Sequence, residues 1–134
     1  MKALVYKGPM ELELMDYPIP VRKDGEVLIK VKACGICGSD FEGFLGKTGR
    51  RIPPMIMGHE FSGEIVEIGV ESGFKIGDKV VVNPKLYCGE CDYCQTGLTN
   101  ICPTAEFLGV MDKDGALTEY VAVPEKYVLK FGDI

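Results

Sequence analysis

The chain has 134 residues, 46% of them hydrophobic and 26% charged, with a formal net charge of −5. That is the size and composition of one globular domain, and its acidic balance excludes a phosphate-backbone partner, because nucleic-acid affinity depends on lysines and arginines neutralising phosphates. No run approaches the ~20 apolar residues of a membrane helix and residues 1–6 lack a secretory apolar stretch, so no membrane partner and a cytoplasmic setting are expected.

Seventeen glycines and eight prolines punctuate short runs of β character, and no long segment repeats apolar residues at helical spacing. Strands are predicted in chain order at 2–6, 12–16, 26–33, 61–68, 79–83, 117–123 and 127–130. The clearest is 26–33, where Val27, Ile29, Val31 and Ala33 alternate with Lys30 and Lys32, so the first set is expected to face the core. Turns are expected at Asp24-Gly25, Gly77-Asp78 and Asp114-Gly115. A short helix is predicted after Cys37, with Ser39 or Asp40 as N-cap and Phe41 to Leu45 in its first turn. Gly43, Gly46 and Gly49 do not fit G-x-G-x-x-G and follow no strand, so they read as loop glycines. Lys47, Arg50 and Arg51 form the only basic cluster: three solvated loop charges, or a contact for an anionic substrate group. Seven short strands suggest a mainly β fold, a barrel or sandwich.

Four of the six cysteines, Cys88, Cys91, Cys94 and Cys102, fall within fifteen residues. A tight C-x2-C-x2-C turn closed by a fourth thiol supplies the tetrahedral thiolate set of a structural zinc site. Neighbours at this spacing are poorly placed to bridge pairwise, and a reducing compartment favours ligands over disulfides. A ferredoxin-type cluster is disfavoured because seven residues, rather than three, precede the last cysteine. A second group is mixed. Cys37 follows the best predicted strand, and His59, the single histidine, stands beside Glu60. Thiolate, imidazole and carboxylate together make an open zinc site that keeps a position for water or substrate.

Gly58-His59-Glu60 with Gly63, Gly69 and Ser72 fits G-H-E-x2-G-x5-[GA]-x2-[IVSAC] at every defined position. This resembles the signature of the zinc-containing medium-chain alcohol and polyol dehydrogenases. Gly35 to Asp40 is similar to the catalytic-cysteine segment of their sorbitol, threonine and butanediol branch, and the four-cysteine loop to their structural zinc lobe. The resemblance covers nearly the whole chain and implies a GroES-like, partly open β-barrel with short helices over 1–134, its zinc lobe at about 85–103.

The same resemblance assigns Cys37 and His59 as catalytic-zinc ligands and Glu60 as a ligand or a neighbour that exchanges with water. It makes Ser39 the proton-relay hydroxyl and Asp40 the carboxylate that holds the histidine ring. Cys88, Cys91, Cys94 and Cys102 become the structural set. Cys34 has no family role and reads as a small buried thiol or as a redox partner of Cys37. The implied activity is hydride transfer between an alcohol, polyol or carbonyl compound and NAD or NADP, in a full-length enzyme expected to be a homo-oligomer. A phosphorylated polyol stays open through Arg50 and Arg51. The nucleotide-binding Rossmann domain is absent from the chain, which is therefore expected to be inactive alone, whether detached from that domain or encoded without it. The competing reading is a noncatalytic GroES-like module that zinc only stabilises.

Overall fold

The computed structural model describes residues 1–132, so Asp133 and Ile134 of the expected domain lie outside it. The strands are β1 (Lys2–Gly8), β2 (Glu11–Asp16), β3 (Glu26–Gly35), β4 (Met55–Ile56), β5 (Glu60–Glu67), β6 (Lys79–Val82), β7 (Lys85–Leu86), β8 (Glu106–Phe107), β9 (Tyr120–Pro124) and β10 (Val128–Lys130). They form a five-stranded sheet in the order β10-β6-β5-β3-β9, a three-stranded sheet β2-β1-β4 and the β7-β8 pair, with every pairing antiparallel. The larger sheet curls into a half-barrel, the mainly β, partly open architecture expected. Two short helices, α1 (Gly38–Phe44) and α2 (Asp92–Gln95), complete the frame.

The main core lies inside the curl, where Val27, Ile29, Ile65, Val80 and Val123 are 0% exposed. Each such side chain stabilises the fold by about 1.5–3 kcal/mol relative to exposure. The inward face of β3 differs from the simple alternation. A register shift between Val31 and Ala33 leaves Lys32 as an extra residue, so Ala33 turns to solvent and the half-buried Cys34 packs on the core. One inserted residue inverts the phase of every side chain beyond it.

Strand β9 begins at Tyr120 rather than at 117. Residues 115–119 are engaged elsewhere: Gly115, Ala116 and Leu117 donate their N–H groups to Ile56, Gly58 and Met57, and the Leu117 carbonyl accepts from Leu4. Those bonds tie both sheets to the segment that carries His59. In α1 the N-cap is Cys37, not Ser39 or Asp40. Asp40 sits three residues on and its Oδ2 accepts the Cys37 N–H at 3.2 Å, the reciprocal half of a capping box.

Candidate metal centres and the cleft between them

The lobe between β7 and β8 holds Cys88, Cys91, Cys94 and Cys102, all free thiols, with one sulfur from each within 4.8 Å of the other three. Cys88 Sγ lies 3.9 Å from Cys94 Sγ and 3.6 Å from Cys102 Sγ. A tetrahedron with metal–sulfur bonds of roughly 2.3 Å has edges of about 3.8 Å, so these separations suit a closed zinc site and are far from the roughly 2.05 Å of a disulfide. The backbone prepares the anions. N–H groups of Glu90 and Cys91 each point at Cys88 Sγ from 3.4 Å and hold its pKa down to about 6. The Cys88 N–H lowers Cys102 in the same way, while burial raises Cys94.

The second group forms where β3 leads into α1 and β4 leads into β5. Cys37 Sγ, a ring nitrogen of His59 and a carboxylate oxygen of Glu60 lie within 4.8 Å of one another. Glu60 opens β5 opposite Gly35 of β3 and is exposed, whereas His59 is 7% exposed. Asp40 lies beneath, 3% exposed, with Oδ1 placed 3.4 Å from His59 Nδ1. That is longer than a formed N–H···O bond, about 2.7–3.2 Å, and Nδ1 has no hydrogen-bond partner. The fold brings Cys37, His59 and Glu60 together, with Asp40 beside His59. Ser39, one residue before Asp40 on α1, is exposed.

A cleft of about 690 Å³ separates this group from the cysteine lobe. Ser39 and His59 line one wall, and Lys85, Cys102, Glu106 and Phe107 the other. The Phe107 ring meets the His59 ring edge-on at 5.7 Å, so the lobe forms a wall of the site as well as a zinc fold. Neither Phe107 nor this lobe contact carries any sequence signal beyond proximity to Cys102.

Arg51 corrects the reading of the basic cluster. Lys47 and Arg50 are exposed, but Arg51 is 8% exposed and its Nη2 donates to Asp40 Oδ1 at 3.0 Å. Burial of a guanidinium is tolerated only with a partner, and here the partner is the carboxylate beside His59. Both arginines line the cleft, but with Arg51 committed to Asp40 it is the exposed Arg50 that an anion could meet. Cys34 is half-buried and its thiol pKa is pushed up to about 11, chiefly by burial, which suits an inert packed thiol better than a redox partner.

Gly58 fixes the approach to His59. Its φ is +92°, and a Cβ there would fall 2.8 Å from Cys34 Sγ and 2.9 Å from Leu117 Cγ. Gly58→Ala is expected to cost about 2 kcal/mol or more in urea unfolding, since strained φ values alone cost on the order of 1–3 kcal/mol. A change under ~0.5 kcal/mol would show that the segment relaxes freely.

A half-barrel with a four-thiol lobe and a mixed thiolate–imidazole–carboxylate group at a cleft is the architecture of a domain able to hold metal at two places. Residues 23–133 match the alcohol dehydrogenase GroES-like domain. The chain is 39% identical to a sorbitol dehydrogenase of Bacillus subtilis over 99% of its own length and 39% of the relative's. It superimposes on galactitol-1-phosphate dehydrogenase from Escherichia coli with a TM-score of 0.92 at 32% identity, covering 98% of this chain and 38% of that one. An Escherichia coli alcohol dehydrogenase in complex with NADH gives 0.91 at 37% identity, covering 99% and 39%. The chain belongs to the family of zinc-containing medium-chain alcohol and polyol dehydrogenases and carries their GroES-like domain. It spans about two fifths of the length of these relatives.

Proposed function

We propose that this chain is the zinc- and substrate-binding domain of an NAD(P)-dependent alcohol or polyol dehydrogenase. The observation that carries this reading is the convergence of Cys37, His59 and Glu60 within 4.8 Å beside a cleft lined by Ser39 and His59. The donor set of one sulfur, one nitrogen and one oxygen fits an open zinc site. Zinc held there supplies Lewis-acid polarisation of an alcohol or carbonyl oxygen.

The chain's own residues do the rest. Cys37 and His59 would hold the ion, with the exposed Glu60 as the third ligand or as a neighbour that yields its place to water. Because His59 turns Nδ1 toward Asp40, Nε2 is the nitrogen left to hold an ion. Ser39, exposed in the cleft, takes the alcohol proton and passes it to solvent. The lobe excludes water from one side through Phe107. Nicotinamide binding is assigned to a separate nucleotide-binding domain, so residues 1–134 alone are read as inactive. Six free thiols are in keeping with a reducing cytoplasm, and no helix among the described residues is long and apolar enough to cross a membrane.

Elemental analysis of the purified chain, without added metal, tests the reading. About two zinc ions per polypeptide are expected, one for each cluster. About one, retained in both Cys37→Ser and His59→Ala, would favour the noncatalytic module instead.

A further inference from the structure

Asp40 Oδ1 is shared by two nitrogens. Arg51 Nη2 donates to it at 3.0 Å, and His59 Nδ1 stands 3.4 Å from the same atom. The three side chains are 3%, 4% and 9% exposed for Arg51, Asp40 and His59 respectively. Asp40 Oδ2 meanwhile accepts the N–H of Cys37. One carboxylate thus touches the backbone of one proposed metal ligand and faces the ring of another.

Arg51 is itself held from several sides. Nη1 and Nη2 also reach the carbonyls of Arg50 at 3.3 Å and Ser39 at 3.5 Å. The backbone on either side of Arg51 pairs with Met111, whose N–H donates to Arg50 and whose carbonyl accepts from Ile52. Its stem crosses α1 at Gly43, where a Cβ would come within 2.8 Å of Arg51 Cγ. Only a glycine lets the side chain through.

Among the described residues, the buried side-chain nitrogen and oxygen atoms without a hydrogen-bond partner are Arg51 Nε and His59 Nδ1. Both belong to this triad. A buried ion pair is seldom a gain in stability over apolar packing, because both charges lose their hydration. Two unpaired nitrogens add to the cost. A purely structural role for Arg51 leaves that expense without a purpose, whereas a role in orienting the His59 ring accounts for it.

We propose that Arg51 is a positioning residue for the metal ligand His59, acting through Asp40. Arg51 pins Oδ1 at the point where Nδ1–H of His59 can share it when the ring is drawn to a metal. Pinning keeps the proton on Nδ1 and leaves the Nε2 lone pair for the ion. Without Arg51 the carboxylate is uncompensated and rotates toward other donors, and the ring loses its fixed tautomer and orientation.

The proposal rests on reading Cys37, His59 and Glu60 as a metal site, yet part of its test needs no metal. His59 is the single histidine, so imidazole ¹⁵N spectra of the chain report on it without assignment. At a pH where the ring is neutral, the metal-free chain is expected to hold His59 with the proton on Nδ1. R51M is expected to give a mixture of tautomers, and R51K, which keeps the charge but not the planar fork, a smaller shift. Zinc competition against a chelator should show affinity at the mixed site falling about 10-fold or more in R51M, with the four-cysteine site unmoved. In a D40N background, R51M should add less than about 2-fold, because the two act along one path. R51K keeps the test decisive if R51M does not fold.

An unchanged tautomer in a folded R51K or R51M chain that still takes about two zincs overturns the proposal alone. Simple multiplication of the R51M and D40N effects overturns it as well. A wild-type chain that takes about one zinc, bound only by the four cysteines, sinks the metal-site reading on which it stands.

Discussion

Cys91→Ser is expected to release one zinc and melt the lobe between β7 and β8, with the half-barrel still folded. The lobe has almost no apolar interior to hold it without metal. Neither α2 nor the following 3-10 turn, Thr99–Ile101, buries a residue, and β7 and β8 pair over two residues each. Binding energy at such structural zinc sites is folding energy, on the order of 10–16 kcal/mol in isolated zinc-finger peptides. Loss of one thiolate removes much of it. The barrel should survive because the lobe is joined to it mainly at one edge, where Tyr87 packs edge-on against Tyr127 at 5.1 Å. There Lys126 Nζ also reaches the Tyr87 and Cys88 carbonyls. The expected signature is a fall of one zinc per chain, with rapid proteolysis and lost exchange protection confined to about 85–103. Unchanged melting and an intact lobe would show that packing, not metal, holds it. Because Lys85, Cys102 and Phe107 line the cleft, the same change should also loosen the environment of His59.

The long strands were legible because their side chains alternate and glycine, proline or aspartate marks their ends. β1, β2, β3, β5, β6 and β10 fall within a few residues of the expected spans. Illegible elements are those whose structure depends on distant partners. β4 is two residues paired to β1, and β7 and β8 have only each other. Residues 117–119 have β-type sequence, yet their hydrogen bonds are divided among the His59 segment, β1 and, at Glu119, Val31 of β3. Lys32 looks like one more alternating residue, and only the register against β5 shows it as an insertion.

In the candidate site, the ligand types and their spacing were readable because metal chemistry restricts them to a few residues. Arg51 was not. Its charge resembles that of Arg50 in a loop, and its burial follows from Asp40 and from the missing side chain at Gly43, neither of which one sequence ties to it. The capping role of Cys37 was hidden for a related reason: cysteine is not a preferred N-cap, and here the reciprocal bond comes from Asp40.

His59→Ala separates a residue that serves the metal from one that serves the fold. The ring is buried, but its aromatic contact among the described residues is the edge-on one with Phe107, and its Nδ1 makes no hydrogen bond. Removing it leaves Asp40 still paired with Arg51 and bonded to the Cys37 N–H, so no new charge is orphaned. The expected cost in stability is therefore about 1–2 kcal/mol, within the ordinary range for a point substitution. The effect on the mixed site is far larger, because loss of the sole imidazole leaves one thiolate and an exposed carboxylate. Zinc content should fall by one with the four-cysteine site filled, the opposite site from that emptied by Cys91→Ser. With a nucleotide-binding domain supplied, the alcohol oxidation proposed above should fall by about 10³-fold, the rate equivalent of ~4 kcal/mol of lost electrophilic stabilisation. Collapse of the barrel on this substitution would mean that His59 is a structural histidine. A folded chain that keeps both zincs would mean that the ion sits elsewhere, and either result would remove the basis for placing chemistry at the cleft.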